Sequence, residues 1–452
     1  MKMSEKRDFY RRVAGLVIPM ALQNLMNVAV QSADVVMLGR VGEKALSAAS
    51  LAGQVNFILS LFLFGLASGA AVLCAQYWGK GDLRAIETVT GICMRFSMLI
   101  GLVVTLFTVA FPGTIMRILT SDEQVRVLGV EYLRAVCISY FLMTFSSVYL
   151  NIMRSMERVV VSTVVYGASL LINIVVNALL IFGLGPFPKL GVAGAAIGTV
   201  IARLAECVMV LIHNRGMNDL IHVSPRILFV KNRALSSDFV KISGPVILNE
   251  VLWGTGMSAT AALLGQLGSA AASANAIVQV VRQLSTVVSF GIASAAAILV
   301  GKAIGEGKKE MAKEYGARFV KVIAVSGIVG SFVVLLVRPI VMAVMELTPT
   351  ARGYLSVMML LMAAYVWFQA FNTLMIVGIF RGGGDTRFGL LLETIGLWGC
   401  SVLLGSVAAF ALKWSVPLVF AVILLDEYVK FPLVIRRYRS CKWLRDVTRQ
   451  QI

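Results

Sequence analysis

The segment LGRVGEKALSAAS at residues 38–50 runs on to FGLASGAAVLCAQYWGKG at 64–81. The chain repeats this design 226 positions later, as LGQLGSAAASANA at 264–276 and FGIASAAAILVGKAIGEG at 290–307. Gly39/Gly265, Gly42/Gly268, Phe64/Phe290, Gly65/Gly291, Ser68/Ser294, Gly79/Gly305 and Gly81/Gly307 match in register without a gap. The offset is half of the 452 residues, so the chain reads as two copies of one structural unit.

What that unit is follows from composition. Hydrophobic residues make up 58% of the chain and charged residues only 14%, against about 25% charged in a soluble protein. A soluble globular domain, a disordered chain and a coiled coil are excluded. A membrane-spanning helix needs about 20 apolar residues, and in lipid the backbone must satisfy its own hydrogen bonds, which selects helices over open sheet. Twelve spans are predicted, at 13–37, 46–76, 90–112, 127–149, 159–183, 190–213, 239–263, 272–301, 316–339, 351–379, 388–411 and 416–434. The first apolar run is too long for a cleavable signal and lacks a small-residue cleavage site, so it reads as the first span. The fold class is therefore an all-α integral membrane protein, with twelve transmembrane helices in two pseudo-symmetric six-helix lobes around a central cleft.

Six spans per repeat is an even number, so both copies insert the same way and form a parallel repeat. The expected division is an N-lobe at 1–213, a hydrophilic cytoplasmic linker at 214–238 and a C-lobe at 239–452. The net charge of +18 resides in the gaps between spans. With both termini on one side, the loops of that side hold 25 Lys and Arg against 7 opposite. That bias places both termini in the cytoplasm of a bacterial inner or plasma membrane. It also accounts for the basic charge without nucleic acid. Six scattered cysteines and two histidines, His213 and His222, offer no zinc or disulfide spacing.

A charge at mid-bilayer costs at least about 2.5–3.5 kcal/mol, so each one calls for a partner, water or a role. Asp34 stands in MNVAVQSADVVMLG, in the outer half of span one. A carboxylate withdrawn from water can be protonated near neutral pH, or coordinate a cation. The plainer alternative is a helix cap at the interface. Asn173 and Asn177 lie four apart on one face of span five, and Thr199 lies in span six. These four residues are expected to converge on one oxygen-rich site, although helix–helix hydrogen bonding also explains buried Asn and Thr. In the second half, Glu250 and Arg282 fall near the midplane of antiparallel spans. They read either as an ion pair or as an acid that exchanges a proton or contacts a cation, with a tuning arginine. Arg203 and Glu206, three apart, should pair with each other. Glu393, Asp426 and Glu427 read as interfacial. Pro19 and Pro245, again 226 apart, mark candidate bends in the first helix of each lobe.

Four further segments carry a family resemblance. They are Asp34-Val-Val-Met-Leu-Gly39, the Gly65-Leu-Ala-Ser-Gly-Ala-Ala block, Gln76-Tyr-Trp-Gly-Lys-Gly81 and Phe380-Arg-Gly-Gly-Gly-Asp-Thr-Arg387. With the twelve spans and the long middle loop, the chain resembles the MATE family, the multidrug and toxic compound extrusion transporters. The resemblance implies secondary antiport: export of amphipathic, often cationic organic compounds against inward H⁺ or Na⁺, by alternating access. It also implies that Asp34, Asn173, Asn177 and Thr199 form the cation-coupling site, with Na⁺ as a possible metal ion there. Members with a second cation site carry an acid in span ten. Here that stretch reads Trp367-Phe-Gln-Ala-Phe-Asn-Thr373, with none. Glu250, Arg282, Gln369 and Asn372 are accordingly candidates for a C-lobe cavity, and the expected cation site shifts to the N-lobe.

No organic cofactor is expected, only H⁺ or Na⁺ as coupling ion. The expected partners are a small organic substrate and the lipid bilayer, with no nucleic acid and a monomeric state. The chain is not expected to be an enzyme, since no His/Asp, HExxH, Ser/Lys or phosphate-loop pattern occurs in it. The alternative transport reading is a flippase or exporter of an anionic or lipid-linked metabolite, to which Arg282 lends support.

Overall fold

A computed structural model describes residues 3–218, 220–345 and 347–449, with side chains from Arg7 onward. Lys2 and the Lys6 side chain, counted above among the N-terminal charges, lie outside that set, as do Asp219 of the expected linker and residues 450–452.

Among the described residues the chain is helical, with no strand. The helices are α1 (Met3–Val41), α2 (Glu43–Lys80), α3 (Leu83–Ala110), α4 (Pro112–Leu119), α5 (Glu123–Ser155), α6 (Val159–Phe182) and α7 (Gly191–Gly216). After a short 3₁₀ turn at Pro225–Phe229 come α8 (Arg233–Gln266), α9 (Ser269–Gly305), α10 (Lys309–Val344), α11 (Pro349–Thr373), α12 (Thr386–Glu393), α13 (Val416–Ile423) and α14 (Leu425–Arg439). Helix α11 continues in π geometry through Leu374–Phe380, and α12 through Thr394–Leu404 and Val407–Ala411. The twelve predicted spans all fall on these helical segments. Among the described residues, ten helices are long and apolar enough to cross a membrane. Of the other two segments, α8 carries Asp238, Lys241 and Glu250, and α13–α14 is broken at Leu424 into helices of 8 and 15 residues. Both predicted bends, Pro19 and Pro245, sit inside continuous helices. Each leaves the carbonyl four residues earlier without its intrahelical donor.

The repeat is visible in the backbone. Gly42 and Gly268, the turns before α2 and α9, have φ of 153° and 116°. Gly81 and Gly307, just past the ends of the same helices, have φ of 78° and 75°. A side chain is strained at these angles, so the repeat keeps glycine there for a conformational reason. Gly79 and Gly305 serve close approach instead. A Cβ on Gly79 would strike the Lys302 carbonyl oxygen, and one on Gly305 the Gln76 carbonyl oxygen. Gly305→Val is therefore expected to destabilise the protein by about 1–3 kcal/mol through overpacking. Gly399→Ala, where a Cβ meets nothing within 4 Å, is the neutral control. Thermal midpoints in detergent check both.

Packing divides the chain into two compact units. The first comprises Leu22–Cys74 and Asp82–Lys241, and the second comprises the chain up to Ala21, Ala75–Gly81 and Ile242 onward. This differs from the 1–213, 214–238 and 239–452 division that the repeat suggests. The end of α2 groups with the C-terminal half because Gln76 is tied there. Its Nε2 donates to the carbonyls of Gly382 and Arg445, each at 3.1 Å, and its Oε1 accepts from Val447 N at 2.9 Å.

In the first unit α5 packs on α3 and α7, and α6 packs on α7. Leu59, Leu63, Val136, Tyr140 and Ala196 form one patch of its core. The segment between α7 and α8 is shorter than predicted and is pinned in place. The Asn214 side chain exchanges two hydrogen bonds with the Val223 backbone, at 2.8 and 3.0 Å, and Asn218 donates to the Ile221 carbonyl at 2.8 Å. In the second unit α9, α10 and α11 pack on one another, and α14 lies on α11 and on the π stretch that follows α12. Leu264, Val278, Met358, Met359 and Phe420 are among its buried core.

Candidate functional site

The first unit brings Asp34 and the two span-five amides together. On α6, Asn173 and Asn177 are 3% and 0% exposed. Their four-residue spacing stacks them on one helix face. Asn177 Nδ2 donates to Asp34 Oδ1 at 2.6 Å and to Asn173 Oδ1 at 3.2 Å. Asp34 is thus held by a donor from a neighbouring helix and is not a helix cap. Asn177 Oδ1 is buried with no hydrogen-bond partner among the described residues.

Thr199 lies on α7. Its hydroxyl donates to the Ala195 carbonyl of its own helix at 3.0 Å. Tyr132 of α5 stands within interaction range of both Thr199 and Asp34. Sequence reading missed it, because a tyrosine in an apolar run carries no spacing signal. Gly198 was missed too. A Cβ there would strike Asn177 Oδ1, so its absence makes room for the amide.

A second buried network lies in the same unit. Arg203 and Glu206 pair as their spacing predicts, with Arg203 Nη1 at 2.9 Å from each Glu206 oxygen. Ser169 and Ser146 also donate to Glu206, at 2.7 and 3.2 Å.

The second unit corrects the predicted Glu250–Arg282 pair. Glu250 Oε1 accepts instead from Arg381 Nη2 at 2.8 Å, both side chains buried. Arg381 opens the Arg381-Gly-Gly-Gly-Asp385 stretch, and Asp385 is itself 2.7 Å from Arg437 Nε and 3.2 Å from Arg445 Nη2. Equal depth in the membrane could not separate Arg282 from Arg381, because depth fixes only one coordinate.

Glu393, Asp426 and Glu427 are buried inside the protein. They surround Lys430, whose Nζ lies 3.3, 3.2 and 3.1 Å from them. Of the remaining cavity candidates, Asn372 Nδ2 donates to Glu427 Oε2 at 2.7 Å, and Gln369 is buried with its Oε1 unpartnered among the described residues. Arg282 lines a cavity of about 30 Å³ with Asn275, Gln279, Tyr365, Ser401 and Asp426. Glu250, Gln369 and Asn372 do not line it.

Comparison with known proteins bears on the whole chain. The family model MatE matches residues 19–179 and again 245–407. The chain belongs to the MatE family. The two matched segments begin 226 residues apart, the offset of the sequence repeat. The chain is similar to the probable multidrug resistance protein YoeA of Bacillus subtilis, 22% identical over 95% of each chain. It is also similar to the probable multidrug resistance protein NorM of Bradyrhizobium diazoefficiens, 26% identical over 96% of this chain and 93% of that one. Among solved structures, a MATE crystal structure in the bent conformation superposes with a TM-score of 0.86 at 18% identity, covering 96% of each chain. That likeness shows that this MatE chain has the same all-α fold.

Proposed function

We propose that this MatE protein is a multidrug efflux transporter of the cell membrane, not an enzyme. In this reading it is a secondary antiporter that exports amphipathic, cationic organic compounds in exchange for H⁺ or Na⁺. The observation that carries the reading is the Asp34–Asn177–Asn173 cluster. It is a single carboxylate among amide oxygens, with Asn177 Oδ1 unpartnered among the described residues. One carboxylate is neutralised by one proton or one monovalent cation. The oxygen-only donors suit either, since hard cations take carboxylate and carbonyl oxygen. Among the described residues no group of three or more His, Cys, Asp or Glu could hold a metal ion. That composition favours a singly charged coupling ion over a divalent one.

Asp34, Asn177 and Asn173 bind and release that ion, and Tyr132 and Thr199 border the site. Ion uptake changes how α1 packs against α6, and Pro19 and Pro245 supply weak points where helices can bend. Coupling requires the ion to favour one arrangement over the other. The chain works as a monomer with both termini cytoplasmic, needs no cofactor and binds no nucleic acid.

The flippase alternative leaned on Arg282. Arg282 lines a cavity of about 30 Å³, which has room for one to three water molecules and not for a lipid headgroup. The test is dye efflux from vesicles of purified protein under an imposed pH gradient or an imposed sodium gradient. Efflux driven by one gradient and not the other is expected, and efflux indifferent to both would end the antiport reading.

A further inference from the structure

Two of the segments that mark the family, Gln76-Tyr-Trp-Gly-Lys-Gly81 and Arg381-Gly-Gly-Gly-Asp385, have no task in ion or substrate binding. Both hold the end of the chain. Past α14 a turn at 440–443 leads into residues 444–449, which have no regular structure. Trp443 roots this tail. It is 1% exposed, stacks on Tyr438 with ring centroids 5.8 Å apart, and its Nε1 donates to the Tyr438 carbonyl at 3.1 Å. The glycines form the seat. A Cβ on Gly383 would strike the Trp443 carbonyl oxygen, and one on Gly384 would crowd Val447 Cγ1. Arg445 N donates to the Gly383 carbonyl at 3.0 Å. From there the tail reaches α2. The buried Gln76 side chain donates to the Arg445 carbonyl and accepts from Val447 N. Arg449 N donates to the Tyr77 hydroxyl at 3.2 Å, and Lys80 Nζ donates to the Arg449 carbonyl.

These contacts let the tip leave while the root stays. Withdrawing Trp443 would expose a large apolar ring to water. Beyond it, Leu444, Val447 and Thr448 are half-buried and Arg445, Asp446 and Arg449 are exposed. The tip is held mainly by hydrogen bonds to backbone groups, which water replaces at little net cost. Its departure strands no buried charge. Asp385 is paired twice, with Arg437 Nε at 2.7 Å and Arg445 Nη2 at 3.2 Å. The Arg445 side chain is 48% exposed and that of Arg437 19%, so Arg437 remains as the partner. Gln76 likewise keeps the Gly382 carbonyl. A segment with few buried apolar contacts belongs to the low-stability end of a fold and opens locally. The boundary between the packing units falls inside α2, between Cys74 and Ala75. The tip therefore grips the part of α2 that packs with the C-terminal unit.

We propose that residues 444–449 are a releasable strap, hinged at Trp443, that clamps residues 75–81 of α2 to the Arg381-Gly-Gly-Gly-Asp385 stretch and must open in each transport cycle. Closed, it fixes the end of α2 through Gln76, Tyr77 and Lys80. Open, it removes those bonds, and the end of the helix is free to change its packing. The requirement in each cycle rests on the transport reading, and the opening itself does not.

Hydrogen exchange of the full-length protein in liposomes tests the opening. The amides of residues 444–449 are expected to exchange far faster than those of the buried middle of α2. Gln76→Ala should speed them further. So should Val447→Pro, which deletes one of the same bonds from the exposed side. Tail amides as slow as those of α2, or unmoved by both variants, would mean a permanent brace and overturn the proposal. Locking tests the transport clause. Lys80→Cys and Arg449→Cys, combined with Cys441→Ser, are joined by a short thiol-reactive linker that reductant cleaves. Dye efflux is expected to fall to background in the joined protein and to recover on reduction. Full efflux with the strap joined would overturn the requirement. A protein that drives no efflux under either gradient, joined or not, defeats the antiport reading, and exchange still decides whether the strap opens.

Discussion

Vesicles carrying Asp34→Asn are expected to hold folded, inserted protein that no longer couples efflux to an ion gradient. The substitution is nearly isosteric. Asn177 Nδ2 donates to Asp34 Oδ1 at 2.6 Å, and the amide oxygen of an asparagine accepts the same bond. What disappears is the charge, and with it the differential binding of H⁺ or Na⁺. Without an ion that binds one arrangement better than the other there is no coupling, so gradient-driven efflux should be lost. Counterflow of substrate without a gradient should persist. A protein that still pumps at wild-type rate would show that Asp34 merely braces α1 against α6. Asn177→Leu makes the contrast. It removes the donor, leaves the carboxylate without it, and should depress both coupling and thermal stability, the latter by about 1–3 kcal/mol.

The architecture was legible because it rests on long signals. Twelve apolar runs and a register of glycines spaced 226 apart are properties of whole helices, and the backbone angles of Gly42, Gly81, Gly268 and Gly307 repeat that register. The Asp34 cluster was partly legible, since Asn173 and Asn177 share a helix face by spacing alone. Thr199 shared the depth but spends its hydroxyl on the Ala195 carbonyl, a choice of rotamer that no pattern encodes. The Lys430 cluster was missed for a different reason. Asp426, Glu427 and Lys430 look like the polar end of the last span, yet their i+3 and i+4 spacing turns them onto one face of α14. There they meet Glu393. The packing units were also hidden, because the ties of Gln76 to Gly382, Arg445 and Val447 join residues more than 300 apart.

Glu250→Gln is expected to destabilise the protein by about 3–5 kcal/mol, the usual effect of removing one partner from a buried ion pair. The pair is Glu250 with Arg381 at 2.8 Å, with side chains 11% and 5% exposed. The variant leaves the guanidinium without the carboxylate that balances it. Adding Arg381→Gln should recover most of the loss, because replacing both charges is often near neutral where deleting one is not. A thermal-unfolding cycle of the two single variants and the double checks this directly. The same set decides whether Glu250 exchanges a proton during transport. If the pair only anchors the Arg381-Gly-Gly-Gly-Asp385 stretch to α8, the double variant should fold and drive efflux with the wild-type response to the gradient. If Glu250 takes part in coupling, the double variant should be as stable as the wild type and yet fail to couple. Stability and coupling therefore separate in that one protein, which neither single variant can achieve.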